Sequence, residues 1–236
     1  KLGRDDPLYA VLSEKKFQHN RWDPQAFFET GAKEIDEALR YVQDAGCKLQ
    51  FQRALDFGCG VGRLSQALAE RFQNVVGVDI AESMVERARE FNRFGDRVVY
   101  LANATDDLRM LDGDSFDFVY SNITLQHIPP EHGKNYIREF LRVLRPGVLA
   151  LFQVPSGRPY RPGSLGEVLY YLRRRYLRRL WRAMRRRPQV EIHYIPRAEV
   201  ESLLRAAGGV LVDVIPVGRT GRRGKNFRYC VAKGTA

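Results

Sequence analysis

Three glycines within five residues are the first feature of this chain that could do chemistry. The stretch LDFGCGVG at residues 55–62 follows an apolar run and precedes a segment with helical periodicity. A strand that leads through glycines into a helix presents backbone N–H groups and a helix N-terminus to a ligand, and the missing β-carbons let that ligand lie close. The stretch therefore predicts a binding loop for a nucleotide-like molecule.

The spacing of these glycines separates two kinds of nucleotide-binding loop. The dinucleotide fingerprint needs glycine at its first, third and sixth positions, but the sixth position counted from Gly58 is Arg63. Asp79 ends the next apolar run, where a carboxylate can accept hydrogen bonds from both hydroxyls of a ribose. Taken alone, the glycines could also form a plain tight turn, and Asp79 could be a helix-capping residue.

The elements around this loop alternate as in a parallel sheet flanked by helices. Apolar runs predict strands at 53–57, 74–79, 98–102, 116–121, 148–154, 210–217 and 227–232. Helical periodicity predicts helices at 63–72, 83–94, 134–144 and 197–207, and two more within 7–45, the second beginning near Pro24. We predict an α/β fold with a Rossmann-like, seven-stranded, mostly parallel sheet and helices on both faces.

Three further stretches follow the glycine loop in a characteristic order: VGVDIAESMVERARE at 76–90, LANATDDLRMLDGDSFDFVYSN at 101–122 and IREFLRVLRPGVLALFQVP at 137–155. With the G-x-G-x-G loop, they resemble the class I S-adenosylmethionine-dependent methyltransferases. The resemblance is strong over 50–155 and loose over 197–236. It implies that S-adenosylmethionine is the cofactor and S-adenosylhomocysteine the product.

The resemblance implies a cofactor site at the ends of the first four strands, formed by Asp56, Gly58, Cys59, Gly60, Gly62, Asp79, Ile80, Met84, Asn103, Ala104 and Asn122. The glycine loop would hold the methionine part, with Asp56 as its support. Asp79 would hold the ribose, with Ile80 and Met84 against the adenine. Where the family usually has Gly-Asp-Ala after the third strand, this chain has Ala-Asn-Ala, so Asn103 would accept from the adenine amino group without a charge.

The loop after the predicted fourth strand, SNITLQHIPP at 121–130, bears on the methyl acceptor. It lacks the Asp/Asn-Pro-Pro-aromatic motif of enzymes that methylate amino groups, and it is similar to the loop of quinone, sterol and sugar methyltransferases. We predict transfer to an oxygen, or less readily a nitrogen, of a small molecule, with His127 as general base. His127 could instead simply pack beside the cofactor.

The positive charge of the chain is concentrated in one segment. The net charge is +11, and the stretch from Arg158 to Arg187 holds eleven arginines against one acid. A helix over 173–187 would carry its arginines on one side. This predicts either a lid with solvated arginines or a contact with an anionic membrane surface, a phosphorylated or lipid-linked substrate or, less favoured, RNA. An RNA methyltransferase and a catalytically silent cofactor-binding protein are the alternative functions.

Composition divides the single predicted domain, 1–236, into a helical cap (1–50), a cofactor-binding core (51–155), an arginine-rich insert or lid (156–192) and a C-terminal helix with two strands (193–236). The three cysteines form no Cys-x-x-Cys pair, and no apolar run approaches the roughly 20 residues that span a bilayer. We expect a cytoplasmic protein, with peripheral association at the inner membrane surface as an option. The scattered histidines predict no metal site.

Overall fold

The seven predicted strands all occur, and they form one sheet. The computed structural model describes residues 2–156, 192–220 and 224–235. The strands are β1 Arg53–Phe57, β2 Asn74–Asp79, β3 Val98–Ala102, β4 Phe116–Ser121, β5 Leu144–Pro155, β6 Gly209–Thr220 and β7 Gly224–Lys233. Their order is β3-β2-β1-β4-β5-β7-β6, with β1 to β5 parallel and β7 antiparallel to both of its neighbours. The prediction of a Rossmann-like, mostly parallel sheet is confirmed.

The helices of the described residues are α1 Leu2–Asp5, α2 Pro7–Val11, α3 Pro24–Asp44, α4 Arg63–Ala69, α5 Glu82–Phe91, α6 Pro130–Val143 and α7 Arg197–Ala206. Short 3-10 turns lie at Lys15–Phe17, Gly95–Arg97 and Leu125–His127. Helix α6 begins four residues before the predicted start because Pro130 occupies its first turn, where a missing N–H is harmless. The first helix expected within 7–45 is only five residues long.

Both faces of the sheet are buried along its central strands, as parallel strands require. Along β1, Leu55 belongs to a hydrophobic core that includes residues of α6 and α7. Its neighbour Ala54 belongs to a second core that includes residues of α3, α4 and α5. Alternate residues of one strand therefore pack against helices on opposite faces, and the strand ends are left to form a site.

The N-terminal segment packs on the glycine loop through a third hydrophobic cluster. Trp22, Phe27 and Phe28 of the cap lie in this cluster with Val61 of the loop and Met84 of α5. The cap is also tied together by polar contacts, since the Trp22 indole N–H donates to the Leu12 carbonyl at 3.2 Å. The cap therefore forms one wall beside the loop.

The arginine-rich helix predicted over 173–187 falls within residues 157–191, which lie outside the described residues, so its role remains a prediction. None of the helices in the described ranges has the length and apolar character needed to cross a bilayer. The division of the chain into cap, core, insert and C-terminal segment also remains a prediction.

Candidate active site

The glycine loop between β1 and α4 needs its glycines for two physical reasons. Gly58, Gly60 and Gly62 all have positive φ, at 83°, 54° and 84°, a region that side chains with a β-carbon disfavour. A β-carbon on Gly58 would also lie 2.0 Å from Thr124 Oγ1, and one on Gly62 would lie 2.3 Å from the hydroxyl of Tyr100. The loop is therefore pressed against neighbouring elements as well as sharply bent.

Asp79, at the end of β2, faces this loop. Its Oδ2 accepts the N–H of Gly60 at 2.9 Å, and its Oδ1 accepts the N–H of Ala81 at 2.9 Å. Since each carboxylate oxygen can accept more than one hydrogen bond, both oxygens keep capacity for hydroxyl donors. The backbone thus fixes the orientation of a carboxylate that can still bind a diol.

Asp56 is a buried residue of β1, two positions before Gly58. Its Oδ2 accepts the hydroxyl of Ser65 at 2.6 Å, which connects β1 to α4. Burial raises the pKa of Asp56 to about 7, against the opposing effects of the Ser65 hydrogen bond and the Arg63 charge. Asp56 therefore connects the strand before the loop to the helix after it, and its role as a support of the loop remains a prediction.

A cavity of about 800 Å³ opens at the carboxyl ends of β1 to β4. Most of the predicted site residues line it: Gly58, Gly60, Asp79, Ile80, Met84, Asn103, Ala104, Asn122 and His127. Asp56, Cys59 and Gly62 do not line it. Cys59 is buried with its thiol beside the Gly60 carbonyl, and Gly62 is the N-cap of α4.

The side chain of Asn103 is engaged within its own loop. Its Nδ2 donates to the Asp107 carbonyl at 2.7 Å, and its Oδ1 accepts the Thr105 hydroxyl at 2.7 Å and the Thr105 N–H at 3.3 Å. A hydrogen bond donated by an adenine amino group to Asn103 Oδ1 would compete with these contacts. The residue therefore shapes this wall of the cavity chiefly by holding the loop after β3.

A polar pair that the sequence analysis missed also lines the cavity. Asp106 Oδ2 accepts from His132 Nδ1 at 2.8 Å and from Asn135 Nδ2 at 3.0 Å, and these hydrogen bonds hold the pKa of Asp106 below its usual value. Asp106 and His132 stand 26 residues apart: Asp106 lies in the loop after β3, and His132 lies in the first turn of α6. Since no local pattern links them, only the packing of this loop on α6 reveals the pair.

His127 ends the 3-10 turn that follows β4 and lines the cavity. Its Nε2 lies 3.0 Å from the side-chain nitrogen of Gln126. This contact between the two side chains fixes the orientation of the imidazole ring. Within the described ranges, no group of histidine, cysteine and acidic residues is arranged to hold a metal ion.

Sequence comparisons agree with this geometry. Residues 54–147 match the profile of the family described as "Methyltransferase domain". The chain is 33% identical over 153 residues to the ubiquinone biosynthesis O-methyltransferase of Hahella chejuensis, covering 63% of each protein. It is 30% identical over 139 residues to that of Bordetella avium, covering 58% of this chain and 57% of the relative. The chain thus spans about three fifths of the length of these relatives.

Solved structures share the fold across most of the chain. A magnesium protoporphyrin IX methyltransferase from Synechocystis, with bound S-adenosylhomocysteine, matches with a TM-score of 0.59 and 18% identity over 99% of both chains. An S-adenosylmethionine-dependent methyltransferase from Clostridium acetobutylicum matches with a TM-score of 0.62 and 15% identity over 96% of this chain and 98% of that one. With its glycine loop, Asp79 and strand order, the chain has the fold of the class I S-adenosylmethionine-dependent methyltransferases, and residues 54–147 match a methyltransferase domain.

Proposed function

We propose that this chain transfers a methyl group from S-adenosylmethionine to a hydroxyl oxygen of a small, uncharged aromatic molecule. The observation that carries the proposal is one cavity that brings together the glycine loop, Asp79 and His127. The first two are suited to a nucleoside with an amino-acid tail, and His127 is suited to taking a proton from a hydroxyl.

The residues present fit the cofactor. Gly58 and Gly60 line the cavity without side chains, so the methionine part can lie close to the backbone of the loop. The Asp79 carboxylate is held where it can accept from ribose hydroxyls, and Ile80 and Met84 offer an apolar surface to the adenine. When bound, S-adenosylmethionine supplies a methyl group activated by its sulfonium.

The described part of the cavity lining favours an uncharged acceptor, and the arginine-rich segment lies outside it. Among the described residues that line it, the charged groups include Asp79 and Asp106 but neither lysine nor arginine. Phe57, Ile123 and Ile128 add apolar surface. The relatives' name, ubiquinone biosynthesis O-methyltransferase, supports oxygen as the methylated atom and a hydroxylated precursor of a quinone as the acceptor.

His127 would act as the base that removes the hydroxyl proton of the acceptor. A neutral imidazole would accept this proton at Nε2, where the acceptor hydroxyl would replace the Gln126 amide. The enzyme would also speed the reaction by positioning the acceptor, because a displacement at a methyl group requires the nucleophile and the leaving sulfur to be in line. Walls formed by the loop after β4 would hold the acceptor ring in that position.

The experiment measures S-adenosylhomocysteine formation with a prenylated catechol as acceptor. We expect turnover with wild type and a loss of roughly 10²- to 10⁴-fold in kcat for His127→Ala under saturating cofactor. His19→Ala is the matched control, since His19 is an exposed histidine of the cap. Unchanged kcat in His127→Ala would remove the base from the mechanism, and an absence of turnover with any hydroxylated aromatic would contradict the proposed acceptor class.

A further inference from the structure

Residues 193–195, the return segment, follow the predicted arginine-rich insert and lead towards α7. Backbone hydrogen bonds fix this segment at both ends. The N–H of Ile195 donates to the carbonyl of Pro155, the last residue of β5, at 3.0 Å, and the N–H of His193 donates to the carbonyl of Gln126 at 2.8 Å. The return segment therefore bridges the end of β5 and the 3-10 turn that ends at His127.

Apolar packing strengthens this attachment. Ile195 is buried and belongs to the same hydrophobic core as Leu125, the first residue of the 3-10 turn. Ile195 also lies against α6, since a β-carbon on Gly133 would be 3.4 Å from its Cδ1. Because a packed interior transmits displacement instead of absorbing it, the return segment and the turn should move together.

Gln126 is the residue through which the return segment reaches His127. Its backbone carbonyl accepts from His193, and its side-chain nitrogen lies 3.0 Å from Nε2 of His127. Gln126 is buried, so its side chain has little room to adopt another position. A shift of the backbone at Gln126 would therefore displace the contact that orients the imidazole ring.

The turn needs such an external attachment because its own hydrogen bonds are few. The N–H of His127 donates to the Thr124 carbonyl at 3.0 Å, and the N–H of Ile128 donates to the Leu125 carbonyl at 3.3 Å. Hydrogen bonds of the 3-10 type have poorer geometry than those of an α-helix. Ile123, just before the turn, has a φ of 62°, which a β-branched residue disfavours. Contacts from outside the turn must therefore set its position.

We propose that the return segment is a positioning element for His127, acting through the hydrogen bond from the His193 N–H to the Gln126 carbonyl. This inference rests on the proposed function, since it concerns the residue proposed there as the base. A base must lie within hydrogen-bond reach of the proton that it removes, and a misplacement of about 1 Å can cost roughly 100-fold in rate. The role belongs to the backbone of His193, which is not among the residues that line the cavity.

His193→Pro tests the proposal, because proline has no N–H to donate. We expect kcat for methylation of a prenylated catechol to fall roughly 10- to 100-fold under saturating cofactor, while the Kd of S-adenosylhomocysteine in calorimetry changes less than about twofold. His193→Ala is the matched comparison: alanine keeps the N–H, so most of this loss should be absent. An unchanged kcat in His193→Pro, or equal losses in the two variants, would overturn the proposal.

The imidazole of His127 gives a second measurement that does not depend on turnover. Its NMR signals are assigned by their absence in His127→Ala. We expect His193→Pro to shift these signals and the pH at which the ring titrates, and His193→Ala to shift them much less. Unmoved His127 signals in a folded His193→Pro protein would contradict the positioning role, because a purely structural loss elsewhere would leave this ring in place.

Thermal unfolding shows whether the proline variant is folded. If it is not, Gln126→Leu interrupts the same connection at its side-chain step, and it should lower kcat and shift the His127 signals while S-adenosylhomocysteine still binds. The absence of both effects would overturn the proposal. A wild-type protein that binds S-adenosylhomocysteine but methylates no hydroxylated aromatic would instead overturn the proposed acceptor class, and the NMR comparison would still decide whether the return segment positions His127.

Discussion

Two residues at the site are held in states that their side chains ordinarily disfavour. Asp56 is a carboxylate enclosed beneath the glycine loop, and Ile123 is a β-branched residue with a φ of 62°. Burial disfavours the charged form of Asp56. Contact between the β-carbon and the backbone disfavours the left-handed conformation of Ile123. Such strain tends to persist where the surrounding structure enforces it, as at a binding site.

Asp56→Asn should stabilise the protein above neutral pH. The pKa of Asp56 rises from 3.8 in the unfolded chain to about 7 in the fold, so the folded state binds more protons than the unfolded state between these values. Stability therefore falls as pH rises from about 4 to about 7, and the penalty stays in full above that. Asp56→Asn removes this penalty, so its gain in the free energy of unfolding at pH 8 has an upper bound of about 4 kcal/mol.

Thermal unfolding of wild type and Asp56→Asn from pH 4 to pH 8 checks this prediction. The two curves should converge at the acid end and separate as pH rises. Asp36→Asn is the control, because Asp36 is an exposed carboxylate paired with Arg71 at 2.7 Å. A difference between wild type and Asp56→Asn that stays constant with pH would contradict the prediction.

Ile123→Asn should also stabilise the protein, by about 1 kcal/mol, because asparagine tolerates the left-handed conformation that isoleucine resists. Ile123 is 43% exposed, so little buried surface is lost. Urea unfolding measures the gain. Ile80→Asn is the control: Ile80 lines the same cavity and is more exposed, but it is not among the residues with positive φ. A similar effect in both variants would show that relief of strain is not the cause.

Among the secondary-structure elements, α3 and α4 approach so closely that a glycine is needed within a helix. A β-carbon on Gly31, in the middle of α3, would lie 2.5 Å from the Arg63 carbonyl oxygen. Beside this contact, Arg63 pairs with Glu34 at 2.7 Å, with both groups largely withdrawn from solvent. The α3 helix of the cap is thus fixed directly to the first turn after the glycine loop.

Gly31→Ala should destabilise the protein by roughly 1 to 3 kcal/mol, although alanine is the better helix former, because the two backbones must separate. Gly133→Ala tests the opposite case: Gly133 lies within α6, and its added β-carbon would meet only Ile195 Cδ1 at 3.4 Å. That variant should be neutral or more stable by up to about 1 kcal/mol. Denaturant unfolding compares the pair, and equal effects would contradict the role assigned to the close contact.

The elements set by local pattern could be predicted from the sequence, and the contacts between distant elements could not. Strand β2 was predicted to the residue because its apolar run is buried on both faces, and the start of α3 follows from the Asp23-Pro24 cap. The start of α6 was predicted four residues late, because periodicity alone does not show that Pro130 lies in its first turn. Gly31 and the Asp106–His132 pair show no local signal, because each depends on an element far along the chain.

In the molecule as a whole, the N-terminal cap forms part of the cavity. Ala10 and Val11 of α2 line it, and a β-carbon on Gly60 would lie 2.9 Å from Val11 Cγ2. A short helix such as α2 is marginal without tertiary contacts. A ligand that fills the cavity would add such contacts, so cofactor binding should order the cap as well as the loop.

Hydrogen exchange with and without S-adenosylhomocysteine tests this coupling. At exchange times too short for global unfolding, the ligand should slow the amides of Ala10 and Leu12, which donate to Asp6 and Leu8 carbonyls at 3.0 Å each, along with those of 58–62. Amides of β6, which lies at the far edge of the sheet, should exchange at unchanged rates on this timescale. Protection confined to the glycine loop would contradict the coupling, because a ligand in contact with Val11 stabilises the helical turn that presents it.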